Sequence, residues 1–366
     1  MRGKVIALLF VLVAVCLASL CISSTTYEVY GLDVVFHAIQ VWAQTTIASL
    51  FGGEYFTTVD LIALEPKYFQ VMVRIGTTFI SVLCGVMLTV AGAIYQSVFR
   101  NPVAAPTMLG VSSGLNLGLV VFVLVFDTAA TSPSATVPHY LFAYGGAIVA
   151  LGIVLGVSFV LNGPKRFNVV DMMLVGSIVS LMVSQVILYV SYFVFSDELW
   201  LTYTELNEVL DVNTTPVAYA FLLVAAVVTL VPVIAFRFRL NALSFSDEET
   251  YCLGIDGTRL RYFAIVIATI MVIAALAHSG MVGMASLIVP FVSRAYFGAE
   301  FRKQLIGNVL IGATLVALCR AIASLLDIVL YYMGFLFEFP VGVVASLICM
   351  PLFVWIVASQ QKTWED

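Results

Sequence analysis

Apolar residues fill this chain in long runs parted by short polar breaks, without the alternation of faces that a water-soluble fold would show. Ten runs stand out: Val5–Ile22, Gly76–Ser97, Val111–Phe126, Tyr140–Leu161, Met172–Phe195, Pro216–Phe236, Tyr262–Ala277, a short one at Gly283–Val292, Leu305–Leu325 and Pro340–Val357. A helix needs about 20 apolar residues to cross a bilayer. The pattern therefore predicts an all-α polytopic membrane protein of about ten transmembrane helices, built as one domain over residues 1–366. Between the first two runs lies a segment, 23–73, in which Val34, Val35, Ala38, Ile39 and Trp42 recur at helical spacing. That periodicity fits either an amphipathic helix lying on the membrane or one packed against the other helices.

Composition strengthens this reading. The chain is 62% hydrophobic and 10% charged, with a mean hydropathy of +1.09, where globular chains carry roughly 25% charged residues. Charge placement then sets the orientation. With the N-terminus inside, the inner segments hold Arg2, Lys4, Arg100, Lys165, Arg166, Arg237, Arg239, Arg259, Arg261, Arg294, Arg302, Lys303 and Lys362. The outer segments hold only Lys67 and Arg74, with Arg320 in or near a helix. Basic residues in short loops stay on the cytoplasmic side, so N-in, C-in is expected. The first run is read as a retained helix, since no small-x-small cleavage site closes it.

The chemistry on offer is sparse. No Gly-x-x-x-x-Gly-Lys-Ser/Thr loop occurs, so nucleotide binding through a P-loop is not expected. The six cysteines form no Cys-x-x-Cys pair, and His37, His139 and His278 are scattered. Ionisable groups within the runs are few, which argues against an embedded enzyme or an ion-coupled carrier. No cofactor, metal or nucleic acid is expected; membrane lipids are the obvious surroundings.

Two features remain. The fifth run carries Ser177, Ser180, Ser184 and Ser191 at offsets of zero, three, seven and fourteen, hence on one side of a helix. Such a stripe either lines a wet pathway or lets helices approach closely. The inner loop 237–261, RFRLNALSFSDEETYCLGIDGTRLR, places Ser246 as an N-cap before Asp247, Glu248 and Glu249, and Gly254 as a helix stop. Two short helices flanked by arginines suit a soluble docking partner; an ordinary solvated loop is the alternative.

Four ordered motifs carry a family resemblance. They are Arg74 to Gly114 with Arg100-Asn101-Pro102 at its centre, Leu243–Leu260 with its Leu253-Gly254 pair, His278–Gly298, and Glu338-Phe339-Pro340-Val341-Gly342. At this spacing the chain resembles the iron-siderophore, haem and cobalamin importer permeases, the membrane subunits of type II ATP-driven importers. The resemblance implies a vitamin B12 permease-like fold of ten helices in a bacterial or archaeal cytoplasmic membrane. It implies pairing with a second permease subunit, like or sister, and no enzymatic activity in this chain. A separate cytoplasmic ATPase would dock at Ser246, Glu248, Glu249, Leu253 and Gly254. An extracytoplasmic substrate-binding protein would dock outside, with Arg74 as basic anchor. The fifth helix lines the family's pathway, which makes the four serines pathway candidates. An iron-siderophore complex is the expected cargo, haem or cobalamin the alternative, and an ion-coupled carrier the alternative of another class. Thr77, Ser324 and Phe291 depart from the family pattern, at two positions where arginine and one where histidine is common.

Overall fold

The computed structural model describes residues 1–23, 28–40, 66–126, 135–163, 169–208, 216–245, 247–280, 282–335 and 339–365. These residues are nearly all helical. In order come α1 (Arg2–Cys21), α2 (32–40), α3 (Pro66–Phe99), α4 (Val111–Phe126), α5 (Thr136–Asn162), α6 (Val169–Phe193) and α7 (Asp197–Glu208). Then follow α8 (Pro216–Ala235), α9 (Arg237–Asn241), α10 (Asp247–Cys252), α11 (Gly257–Ser279), α12 (Met284–Phe297), α13 (Phe301–Tyr332) and α14 (Val341–Glu365). Ile22–Ser23 pairs antiparallel with Glu28–Val29 in a two-stranded ribbon.

Every one of the ten apolar runs falls on a helix. Among the described residues, seven helices (α1, α3, α5, α6, α8, α11 and α13) are long and apolar enough to cross a membrane, while α4, α12 and the apolar part of α14 are shorter. Two polar stretches between the apolar runs carry structure of their own. Asp197–Thr215, between the fifth and sixth runs, begins with α7: Ser196 Oγ accepts the Leu199 N–H (3.3 Å) and Asp197 and Glu198 occupy the first turn. This is the N-cap arrangement in which acid meets the positive end of the helix dipole. The ninth run continues as helix to Tyr332, and Asp327 Oδ1 accepts the Phe339 N–H (2.6 Å). The stretch after it is thereby tied back to α13. Helix α2 buries Val35 and Ala38 against Leu20 of α1 and Val71 of α3, which supports packing for part of that amphipathic pattern; Trp42 lies outside the described residues.

Helix α3 is the centre of the molecule: 83% of its apolar window is buried, against 11% for α6. Its polar side chains are used as ties between helices, which a bilayer favours because no water competes for them. Thr89 Oγ1 donates to Asn308 O on α13 (2.8 Å), and Gln96 Nε2 donates to Leu287 O on α12 (2.8 Å). Tyr95 shares a hydrogen bond with Thr269 on α11 (2.6 Å). Gly92 lies against the Ser286 carbonyl of α12 so closely that a Cβ there would stand 1.8 Å from the oxygen. That carbonyl is the one four residues before Pro290, whose ring nitrogen has no hydrogen to give it.

One end of the bundle gathers basic residues that the sequence assigned to a single side. Lys4 Nζ donates to Tyr296 O (2.9 Å) and lies 4.2 Å over the Tyr296 ring. Arg302 lies 5.7 Å over Phe238, and Asn241 Oδ1 accepts the Phe301 N–H (3.0 Å). The loop 237–261 is at this end.

Candidate functional site

The loop 237–261 folds as a compact knuckle. After α9, a 3-10 turn (Ala242–Ser244) leads towards α10, and Thr250 Oγ1 reaches back to Ala242 O (3.2 Å), closing the loop on itself. Leu240, Leu243, Thr250 and Leu260 are buried and root it in the bundle. Gly254 ends α10 with φ +71°, a left-handed conformation that a side chain resists, and its N–H donates to Tyr251 O (2.9 Å). Asp256 then caps α11, accepting from the Arg259 backbone N–H (3.1 Å) and pairing with the Arg259 guanidinium (3.0 Å). The result is a rigid projection whose tip is apolar and uncovered: Tyr251 is 82% and Leu253 58% exposed.

Beside the tip opens a pocket of about 570 Å3, with Phe236, Arg239, Leu253, Gly254, Asp256 and Arg259 among its lining residues. An exposed aromatic and an exposed leucine thus stand beside a socket that holds two guanidiniums. At the start of α13 Lys303 bonds Glu300 (2.6 Å) and holds that carboxyl below the ordinary carboxylate range. Of the residues expected at the dock, Leu253 and Gly254 lie at the tip and Glu249 is exposed next to it. Ser246 lies outside the described residues.

The four serines lie on α6, which with α1 is the least covered of the seven long apolar helices. Ser177 and Ser191 donate to the carbonyls one turn back, Met173 O and Ile187 O (both 2.8 Å). Ser180 reaches out of its helix to Thr107 O (3.4 Å) in the turn Pro106–Leu109, while Ser184 is exposed. Ser177 and Ser184 thus face away from this subunit, so close packing within it does not account for them.

Arg74 needs correcting as a docking anchor. It is 4% exposed, and Nη1 donates to Ser324 Oγ on α13 (3.4 Å). Arg320, Ser324 and Asp327 are buried on the same helix at offsets of zero, four and seven, so the group is a polar brace between α3 and α13. The sequence hinted at the partner, because Ser324 stands where the family commonly has arginine. Arg74→Ala is therefore expected to lower stability by about 1–3 kcal/mol, the usual cost of leaving buried polar groups without a partner. Thermal unfolding in detergent checks this, with Arg74→Lys falling between the two.

Sequence reasoning also missed a buried aromatic cluster. His278 stacks on Tyr140 (4.4 Å between centroids), and His139 meets the same tyrosine edge-on (4.9 Å). His278 bridges Ala274 O (2.7 Å) and, on α8, Ala218 O (3.0 Å). The two histidines are far apart in sequence, and the one signal, an aromatic beside each predicted helix end, is common in membrane proteins.

Comparison with known proteins places this geometry. The sequence model of the FecCD transport family matches residues 11–359. A Helicobacter pylori protein named for an iron chelatin transport system permease is 27% identical over 308 residues, covering 83% of this chain and 85% of its own length. The hemin transport system permease protein HmuU of Yersinia pestis is 28% identical over 293 residues, covering 79% and 83%. Among solved structures, a chain described as a metal-chelate type ABC transporter in an inward-facing conformation superposes with a TM-score of 0.75. It is 22% identical and covers 98% of this chain and 100% of its own.

Proposed function

This chain belongs to the FecCD transport family, and on that premise we propose that it is the membrane permease of an ATP-driven importer carrying an iron-siderophore complex into the cell. The family match over nearly the whole chain carries the reading. All ten apolar helices then cross or enter the bilayer with both termini inside. The knuckle at 237–261 takes a separate cytoplasmic ATPase, with Leu253, the turn at Gly254, Ser246, Glu248 and Glu249 as its contacts. A substrate-binding protein delivers cargo at the opposite end, where the acidic α7 offers surface. Because Arg74 is buried, that docking rests on groups other than its guanidinium.

The outward face of α6 meets a second permease subunit, and Ser177, Ser180, Ser184 and Ser191 line the pathway between the two. Exposed apolar side chains such as Leu181, Met182 and Tyr189 share this helix with the serines. They suit a helix half against a partner or lipid and half against a wet channel. A second cargo, haem, is favoured by the hemin relative, whose identity to this chain is as high as that of the iron-chelatin one.

Two measurements test the reading. Cysteines at Ser180 and Ser184, in a background without native cysteines, are expected to react with water-soluble thiol reagents, and Met182→Cys and Val186→Cys to react less. Equal inertness at all four positions would return the stripe to helix packing. Deletion of the gene should abolish uptake of a siderophore-bound iron isotope and spare haem uptake. The reverse pattern selects the haem reading, and uptake that survives ATP depletion but follows an ion gradient would sink both.

A further inference from the structure

The inner knuckle and the serine helix are joined by a short, stiff segment that begins at Arg100. Arg100 has φ +49°, and among the described residues it is the one non-glycine in the left-handed region. It stands just past the end of α3, and the Asn101 N–H donates to Gln96 O (3.2 Å), a six-to-one bond of the kind that ends a helix with a glycine at this position. Glycine would adopt this conformation without strain, so an arginine here calls for another reason. Its side chain supplies one: Nε donates to Leu243 O (3.4 Å) and Nη2 donates to Phe245 O, both carbonyls of the knuckle.

From Arg100 the chain runs through a closed turn. Asn101 Oδ1 accepts the Val103 N–H (3.0 Å) and Asn101 O accepts the Ala104 N–H (3.1 Å). Pro102 and Pro106 stiffen the stretch by fixing its backbone at two points, and Ala104, Pro106 and Leu109 are buried. The segment ends against α6 with backbone touching backbone. A Cβ on Gly176 would stand 2.0 Å from Met108 O and 2.8 Å from Leu109 Cα, and Ser180 donates to Thr107 O (3.4 Å).

We propose that Arg100–Leu109 is a strut that carries displacement of the knuckle to α6, with Arg100 as the positioning residue that clamps one end and Gly176 as the bearing at the other. The strut rests on the functional reading above, in which the knuckle receives the ATPase and α6 lines the pathway. A loop held by a forked guanidinium at two carbonyls, and a helix met without an intervening side chain, leave little slack between them.

The test uses the full chain with its native partners in membranes of its own host, with Ser184→Cys as reporter in a background free of other cysteines. With Arg100 present, ATP followed by vanadate is expected to change the labelling rate about fivefold or more, the low end of ordinary coupling between sites. Arg100→Gly removes the backbone strain together with the clamp. It should accumulate normally and keep the ATPase on the membrane, yet bring the nucleotide effect towards onefold. Arg100→Lys, a single point charge that reaches one carbonyl at a time, should fall between and also covers the case that the glycine variant does not accumulate. A parent-like nucleotide effect in Arg100→Gly, or in Arg100→Lys if that is the variant that accumulates, would reduce Arg100 to a helix terminus and overturn the strut. No nucleotide effect with Arg100 intact would overturn the functional reading itself.

Discussion

Replacing Gly254 with valine is expected to cut ATP-driven uptake about 5- to 30-fold while the protein still reaches the membrane. The reasoning is local. Gly254 has φ +71°, and a Cβ placed there meets nothing within 4 Å. The first added carbon therefore meets no neighbour, and the main cost is backbone strain of about 1–2 kcal/mol, more for a β-branched side chain. Strain of that size shifts a local two-state equilibrium by a factor of about 5–30. The turn sits at the tip of the knuckle, so the displaced population is docking surface rather than core. Gly254→Asn separates the two effects, since asparagine tolerates the left-handed region and should keep most of the uptake. Uptake and membrane-bound ATPase measured side by side decide the matter. Unchanged values for both in the valine variant would remove Gly254 from the docking surface.

Gly92→Ala is expected to be the most damaging single methyl group in the bundle. The new Cβ would stand 1.8 Å from Ser286 O and 2.7 Å from its carbon, both backbone atoms that no rotamer change can move. Helices α3 and α12 must separate, at about 1–3 kcal/mol or more. The Gln96 to Leu287 bond one turn away then lengthens with them. Gly145→Ala makes the contrast: nothing lies within 4 Å of a Cβ there, and alanine is the better helix former by about 1 kcal/mol. The unfolding midpoint in detergent should fall sharply for the first and hold or rise for the second. Equal shifts would mean that helix propensity, not the α3–α12 contact, governs both sites.

Much of the architecture was readable in advance because bilayer crossing imposes a length and an apolarity that few other structures need. The runs at Val111–Phe126 and Pro216–Phe236 match α4 and α8 to within a residue. The serine face of α6 and the helical knuckle were readable for similar reasons, one from period and the other from caps. What resisted was depth. Apolarity alone does not separate α3, nearly enclosed, from α6, nearly bare, because lipid and protein interior are equally oily; the buried Thr89, Tyr95 and Gln96 of α3 were the signal that it lies inside. Arg74 misled for the same reason: a basic residue near a predicted outer end reads as exposed, yet here it is bonded to a helix 250 residues away in sequence. Helix α7 was readable and was missed: Ser196-Asp197-Glu198 carries the same cap and acidic first turn that identified α10.

The burial of α3 has a consequence for how the protein is made. The ribosome finishes this helix at Phe99, but three of the helices that cover it (α11, α12 and α13) begin at Gly257, Met284 and Phe301. At ordinary synthesis rates of about 5–20 residues per second, the wait between Phe99 and the completion of α13 at Tyr332 is on the order of ten to fifty seconds. Until Thr269, Leu287 and Asn308 are added, Tyr95, Gln96 and Thr89 lack their interhelical partners and face hydrocarbon or an insertion factor, although Thr89 keeps its bond to Gly85 O within α3. The most protected helix of the finished molecule is therefore its most vulnerable one at birth.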